Sequence, residues 1–247
     1  MSKNDSPIVR IAMWSGPRNI STAMMRSFEN RPDTHVVDEP FYGAFLAAGK
    51  VRHPMHEEIL AQTETDPDAV RNSLLTDGPH EGIFYQKHMT HHMLDHFPRD
   101  WVLHVTNALL IRDPQRVVAS YAAKRADVAF EDLGFEQQNE IFDAVADHLG
   151  EAPPVLDADD VLRAPRAALM QLCTACAIPF HEEMLNWPAG PRDSDGVWAA
   201  HWYGAVERST GFGPPPETMP QLDGELARLA EEARPFYDRL HALRLKV

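Results

Sequence analysis

Short apolar runs alternate with amphipathic stretches along most of the 247 residues. Val9–Trp14, His35–Asp38, Ile83–Gln86, Ala108–Arg112 and Pro154–Leu156 are flanked by turn residues, the pattern of strands buried on both faces of a parallel sheet. Helical periodicity lies between and after them, over Ser21–Glu29, about Asp68–Leu75, Met89–Phe97, Pro114–Lys124, Phe135–Leu149, Pro165–Ala177 and Gly224–Leu243. This alternation predicts an α/β fold, a mainly parallel central sheet with helices on both faces. Its strands should be joined by right-handed crossovers. No internal repeat or composition break interrupts residues 1–247, so a single domain is expected. Residues 186–222 are rich in Pro and Gly but also hold Trp187, Trp198, Trp202 and Tyr203, which suits an ordered irregular segment. Its end, GFGPPPETMP, reads as an extended connection to the last helix, 224–243.

Composition changes this picture little: 44% hydrophobic and 24% charged residues are ordinary for a globular chain able to bury a sizeable core. The formal charge of −14 matters more. It argues against a nucleic-acid partner, because there is no excess of Lys and Arg to displace counterions. It also means that an anionic ligand must be drawn in by local positive charge. The opening MSKNDSP lacks a signal-peptide layout, and no apolar run reaches the length of a membrane span. A cytoplasmic protein without a membrane partner is expected, and the pattern assigns no oligomeric state. Cys173 and Cys176 form a lone C-x-x-C inside an amphipathic helix, where they read as apolar fillers.

Two strand ends carry the chemistry. In MWSGPRNISTAMM the first strand stops at Ser15-Gly16-Pro17-Arg18 and a helix follows. The free N–H groups and positive dipole of such a helix suit an anion. The usual phosphate-loop spelling G-x-x-x-x-G-K-[ST] is absent: no second glycine and no lysine follow Gly16. Ser21 and Thr22 could cap the helix or bond phosphate oxygens, and Arg18 offers a forked cation. Ile20 is β-branched and resists a positive φ, so the Asn19-Ile20 loop is expected to stay in ordinary backbone space. In LLIRDPQRVVASY a buried strand ends in Arg112, Asp113-Pro114 opens a helix, and Ser120 lies two turns in. Arg112 could pair with Asp113, cap a carbonyl, or meet a ligand at the sheet edge.

Together, SGPRNISTAMM and LLIRDPQRVVASY resemble the sulfotransferases that use 3′-phosphoadenosine 5′-phosphosulfate (PAPS). The resemblance implies a P-loop-like three-layer fold. It also implies that residues 15–22, Ser15, Gly16, Pro17, Arg18, Asn19, Ile20, Ser21 and Thr22, hold the 5′-phosphosulfate, and that Arg112 and Ser120 hold the 3′-phosphate. GPRDSDGVWAAHWYGAVERSTGFG is similar to the family's cofactor-closing loop, with Arg192 as its cation. Its other reading is an aromatic segment packed on the sheet.

Sulfuryl transfer needs cations for the leaving phosphate and a base for the acceptor proton. Arg18 fits the first role. For the second, Glu39 in VVDEPFYGAF ends the second strand, and a glutamate in a similar Glu-Pro setting is the proposed base in several sulfotransferase branches. YQKHMTHHM offers Lys87, His88, His91 and His92 and is similar to the family's Lys-x-His region, with Met89 where its histidine would stand. Glu39 could instead be an ion-pair partner of Arg18. His88 and His92, four apart, could share a helix face around a metal, but the spacing of Asp95 and His96 fits no ligand pattern, so no metal is expected. Phe41, Tyr42, Phe45 and Tyr85 are candidates for an acceptor pocket or for the core. The leading expectation is sulfuryl transfer from PAPS to a hydroxyl or amine of a small-molecule acceptor. The alternatives are a P-loop-class nucleotide-dependent kinase, and a non-catalytic nucleotide- or anion-binding protein of the same fold.

Overall fold

A computed structural model describes residues 8–49, 52–125 and 127–247; the MSKNDSP stretch read above lies outside them. Five strands, β1 (Val9–Ser15), β2 (Thr34–Asp38), β3 (Ile83–Met89), β4 (Thr106–Ile111) and β5 (Val155–Asp157), form one sheet in the order β2-β3-β1-β4-β5. Every neighbouring pair is parallel. Ten α-helices are described: α1 (Ser21–Glu29), α2 (Tyr42–Ala47), α3 (His56–Gln62), α4 (Pro67–Thr76), α5 (Pro114–Ala122), α6 (Phe135–Leu149), α7 (Ala158–Arg163), α8 (Pro165–Ala175), α9 (Ala199–Trp202) and α10 (Gly224–Ala242).

The three layers follow from the two-residue period of the strands. On β1, Ala12 and Trp14 face one apolar layer with residues of α5, α6 and α10. Ile11 and Met13 face the other, with Met24, Met25 and Phe28 of α1 and Leu169, Leu172 and Cys173 of α8. Leu109 and Ile111 of β4 join the first layer, Ala108 and Leu110 the second. Cys173 and Cys176 are free and buried, and burial pushes the Cys176 thiol up to about 12. A smaller cluster, with Tyr42, Phe45, Ile59, Trp198 and Tyr203, joins α2 and α3 to the irregular 186–222 segment. No helix among the described residues is long and apolar enough to cross a membrane.

Two expectations change. The helix expected over Met89–Phe97 is not formed: β3 continues to Met89, and Thr90–His92 make a single 3-10 turn. Parallel pairing to β1 extends through His88 and Met89, and all seven β3 residues are buried. Its polar half tolerates burial because its side chains find partners, such as Gln86 Nε2 donating to the Leu74 carbonyl at 2.9 Å. The short helices α2, α3, α7 and α9 are additions to the sequence pattern. Four to seven residues make too few turns for a clear period, and tertiary packing forms them.

Because β1 sends its chain to β2 on one side and is flanked by β4 on the other, the sheet has a switch point beside β1. The loops that follow β1, β2, β3 and β4 meet at the carboxyl edge there, where open parallel sheets bind ligands.

Candidate active site

The carboxyl edge opens into a cavity of about 340 Å³, a volume in the range of small-molecule sites. Its floor is the loop from β1 into α1. A Cβ at Gly16 would lie 2.6 Å from the Leu133 carbonyl oxygen, so this position admits only glycine without a shift. Contrary to expectation, the loop leaves ordinary backbone space: Arg18 has φ 59° and Ile20 φ 50°. Left-handed geometry costs about 1–2 kcal/mol for such a residue, so the surroundings must hold it. Arg112 Nη1 donates to the Arg18 carbonyl at 2.6 Å, and Asn19 Nδ2 to the Leu110 carbonyl at 2.6 Å. The strain turns the chain straight into α1, whose cap is Ile20 with no side-chain acceptor. Ser21 and Thr22 therefore do not cap the helix; they line the cavity with its unpaired first-turn N–H groups.

The two strand-end motifs meet here. Arg18 Nε donates to Ser120 Oγ at 2.9 Å across 102 residues of sequence. Arg112 does not pair with Asp113; it caps a carbonyl of the loop itself and also lines the cavity. Asp113 instead caps α5 through Gln115 N–H and pairs with Arg234 at 2.8 Å. Neither Arg18 nor Arg112 has a carboxylate within salt-bridge distance among the described residues, while Arg26, Arg31 and Arg116 all do. Burial lowers the pKa of both. The Nε of Arg112 is buried with no hydrogen-bond partner. Desolvating two cations is costly, and for Arg112 the charges of Asp159 and Asp157 offset only part of that cost. Such donors suit oxygens of phosphate or sulfate type.

The opposite wall is acid–base in character. Lys87 Nζ, buried on β3, donates to Asp38 Oδ1 at 2.7 Å, Glu39 Oε1 at 2.5 Å and Tyr203 OH at 2.8 Å. Burial opposes its charge, but Asp38 and Glu39 outweigh burial and its pKa is raised. Glu39 pairs with Lys87, not with Arg18. Its own pKa is raised, chiefly by desolvation and further by the charge of Asp38, against the pull of Lys87. Glu39 is also left-handed, φ 44°, at the bend where β2 ends. Strained residues cluster where a site fixes side-chain direction.

The family model described as a sulfotransferase domain matches residues 9–244. The chain belongs to the sulfotransferase domain family. Two curated relatives from Arabidopsis thaliana, "Branched-chain-amino-acid aminotransferase-like protein 2" and "protein 1", are 34% and 35% identical over 233 and 235 residues. They cover 93% and 94% of this chain, which spans 41% of each relative's length. Among solved structures, a sulfotransferase from Alicyclobacillus acidocaldarius aligns with TM-score 0.53 at 13% identity, over 100% of this chain and 98% of its own. The sulfotransferase domain from the curacin biosynthetic pathway aligns with TM-score 0.52 at 14% identity, over 92% and 98%. At these identities the two structures share the fold.

Within this sulfotransferase domain the four candidate groups of β3 and its exit separate. His88 does not line the cavity; it stacks on Trp14 at 4.4 Å, and burial drives its pKa down to about 3. His91 and His92 do line it, His91 also at about 3 and His92 well below its usual range, both through desolvation. His88 on a strand and His92 in a 3-10 turn share no helix face. No cluster of three metal-ligating side chains is formed among the described residues. Ser15 lies buried below the loop, and residues 17–22 line the cavity.

Arg192 stands apart from the cavity: its Nη2 donates to the Pro188 carbonyl at 3.0 Å, and its backbone N–H to Asp195. The Arg26–Asp195 ion pair, 2.6 Å and buried, fixes this turn against α1 and carries Arg192 with it. The same segment reaches the cavity further on, through Trp202, Tyr203 and Ser209. Of the four aromatic candidates, Tyr42 lines the cavity, Phe41 packs near Trp101, Phe45 stacks on His92, and Tyr85 stacks on Phe28. His53, bonded to Tyr42 OH at 2.7 Å, and Tyr203 are site residues that the motifs missed. The aromatic density of 198–203 was the available signal for the second.

Proposed function

We propose that this domain transfers the sulfuryl group of PAPS to a hydroxyl or amine of a small-molecule acceptor. The observation that carries the reading is the pair Arg18 and Arg112, joined through one loop and Ser120, half-buried with no carboxylate in salt-bridge distance among the described residues, in a cavity that Glu39 also lines. PAPS supplies an activated sulfuryl group on a phosphate leaving group. Arg18, Ser21, Thr22 and the α1 N–H groups would face the 5′-phosphosulfate end, where the guanidinium offsets the charge that grows on the departing phosphate. Arg112 and Ser120 would hold the 3′-phosphate, which separates this donor from unphosphorylated nucleotides.

The acceptor oxygen or nitrogen forms its bond to sulfur as the sulfur–oxygen bond to phosphate breaks, and its proton passes to Glu39. Glu39 suits this better than the histidines. A base is effective when its pKa approaches the working pH. Burial moves Glu39 towards that pH and moves His91, at about 3, away from it. Lys87, with Asp38, Glu39 and Tyr203 as acceptors, orients the carboxylate rather than reaching the leaving group.

The deciding experiment combines thermal shift with turnover. Adenosine 3′,5′-bisphosphate should raise the melting temperature more than ATP with magnesium does. Labelled sulfate should move from PAPS to at least one member of a panel of phenols, alcohols and amines. Stabilisation by ATP alone would replace this reading with the kinase, for which the loop lacks its lysine. Bisphosphate binding without transfer to any panel acceptor would favour the non-catalytic alternative.

A further inference from the structure

The segment leading to Tyr203 makes its polar contacts with the charged cluster in an uneven way. Gly196 N–H donates to Asp38 Oδ2 at 3.3 Å, and Tyr203 OH donates to the same oxygen at 2.7 Å. The Tyr203 oxygen also accepts from Lys87 Nζ at 2.8 Å and from Trp198 Nε1 at 3.1 Å. Both of its lone pairs are thus engaged and its single proton must go to a carboxylate. Asp38 takes it, because Glu39 Oε1 lies 3.5 Å away. Asp38 accepts from Lys87, Tyr203 and Gly196, whereas Glu39 has one short donor, Lys87. Two adjacent carboxylates sharing one lysine are in this way made unequal.

The segment is built to deliver this arrangement. A Cβ at Gly196 would sit 2.1 Å from the Trp198 ring, so glycine lets Trp198 fold back over it. Asp195, next to Gly196, is locked to buried Arg26 of α1 at 2.6 Å. Tyr203 packs with Tyr42 and Trp198 in the small apolar cluster, and Lys87 Nζ lies 5.2 Å from its ring centre.

We propose that Tyr203 is a positioning residue for sulfuryl transfer: by engaging Lys87 and Asp38 it leaves Glu39 as the group that takes the acceptor proton. The inference rests on the reading of Glu39 as base. The titratable groups facing that carboxyl are Asp38 of β2, Lys87 of β3, Tyr42 of α2 and Tyr203. The neutral imidazoles of His91 and His92 lie beyond Lys87. Replacing Tyr203 by Phe keeps the ring that desolvates Glu39 but removes the hydroxyl that helps stabilise the anionic pair. Ionisation of Glu39 then requires a higher pH.

The test measures kcat/KM for sulfuryl transfer against pH in Tyr203→Phe and in Trp198→Phe, which removes the indole donor onto Tyr203 together with the ring edge packed over Gly196. Adenosine 3′,5′-bisphosphate affinity is measured in each. The acid limb is expected to move up by ~0.5–1 pH unit in Tyr203→Phe, the size of one net hydrogen bond. A smaller shift in the same direction is expected in Trp198→Phe, with bisphosphate affinity unchanged in both. An acid limb at its native position in both variants overturns the proposal. So does a loss of bisphosphate affinity that accounts for the whole loss of kcat/KM, since that marks a packing role. If Tyr203→Phe does not fold, Trp198→Phe decides on the same criteria. Glu39→Gln separates the two levels. Native activity in that variant overturns the base reading and this inference with it. Its inactivity, together with an unmoved limb in the Tyr203 and Trp198 variants, overturns the role of Tyr203 alone.

Discussion

Replacing Arg112 by Ala should produce two losses that ligand choice can separate. Arg112 Nη1 holds the Arg18 carbonyl at 2.6 Å and so supports a loop with two left-handed residues. A hydrogen bond involving a charged group contributes about 1.5–3 kcal/mol. Losing it should weaken every ligand that uses the loop by ~10–150-fold, at 1.4 kcal/mol per tenfold. The guanidinium also has a buried Nε without a partner, the proposed contact of the 3′-phosphate. A second interaction of similar size would then be lost, but only for a ligand carrying that phosphate. The assay is calorimetric titration with adenosine 3′,5′-bisphosphate and with adenosine 5′-phosphate, for native protein and Arg112→Ala. Both affinities should fall, and the native preference for the bisphosphate should shrink by ~10–150-fold. If both affinities fall equally and the preference survives, Arg112 is only a loop brace and the 3′-phosphate lies elsewhere.

Other outcomes follow from the same geometry. Arg18→Ala removes the cation nearest the proposed leaving group. The rate of sulfuryl transfer should drop by ~10²–10³ or more, the usual loss for one electrostatic contact to a transition state, and a native rate from labelled PAPS would exclude Arg18 from the chemistry. Gly16→Ala drives a methyl against the Leu133 carbonyl 2.6 Å away. Overpacking of about 1–3 kcal/mol, at roughly 2–4 °C per kcal/mol for a chain of this size, should appear as a lower Tm in a thermal melt, and an unchanged Tm would refute the close approach. Stability should also fall on mild acidification. His53, His88 and His91 have folded pKa values of about 4, 3 and 3 against 6.5 when unperturbed. The unfolded chain therefore binds protons below 6.5 that the folded chain refuses, so their stabilisation is full above 6.5 and is lost as the pH falls to about 4 for His53 and about 3 for His88 and His91. Each group contributes about 1.4 kcal/mol per pH unit in its window, the three together about 4 kcal/mol per pH unit while all titrate, and a Tm that stays flat from about pH 7 to 5.5 would contradict their neutral burial.

What the sequence disclosed depended on how local its cause was. The strands β1 and β4, and the helices α1 and α5 behind them, carry their period within a few residues of each other and could be read directly. The polar end of β3 could not. Lys87 stays on a buried strand because Asp38, Glu39 and Tyr203 accept its protons, and Tyr203 is 116 residues away. Ile20 is the sharpest case. Its side chain argues against a positive φ, and that argument is sound for an isolated loop. It fails because Arg112, 94 residues beyond Arg18, grips the loop carbonyl, and because Asn19 is tied to Leu110. The residue that local propensity resists marks where distant contacts are strongest.

That conflict bears on how the site works. A glycine at position 20 would relieve the strain but leave the loop free to sample other directions before a ligand arrives. Ile20 packs its side chain beside the apolar layer of α1 and α8, so its left-handed backbone is anchored by burial as well as by the arginine brace. The loop is thus set before any anion enters. In the proposed reading the two partly desolvated arginines, not a flexible glycine turn, carry the demand that an anion would meet. In a chain of charge −14 such a demand must be local, and here it sits across one cavity from a cluster of two carboxylates and one lysine. Lys87 pairs with both Asp38 and Glu39, and neither carboxylate pairs with Arg18 among the described residues. In the proposed reading Arg18 is then left to the incoming anion.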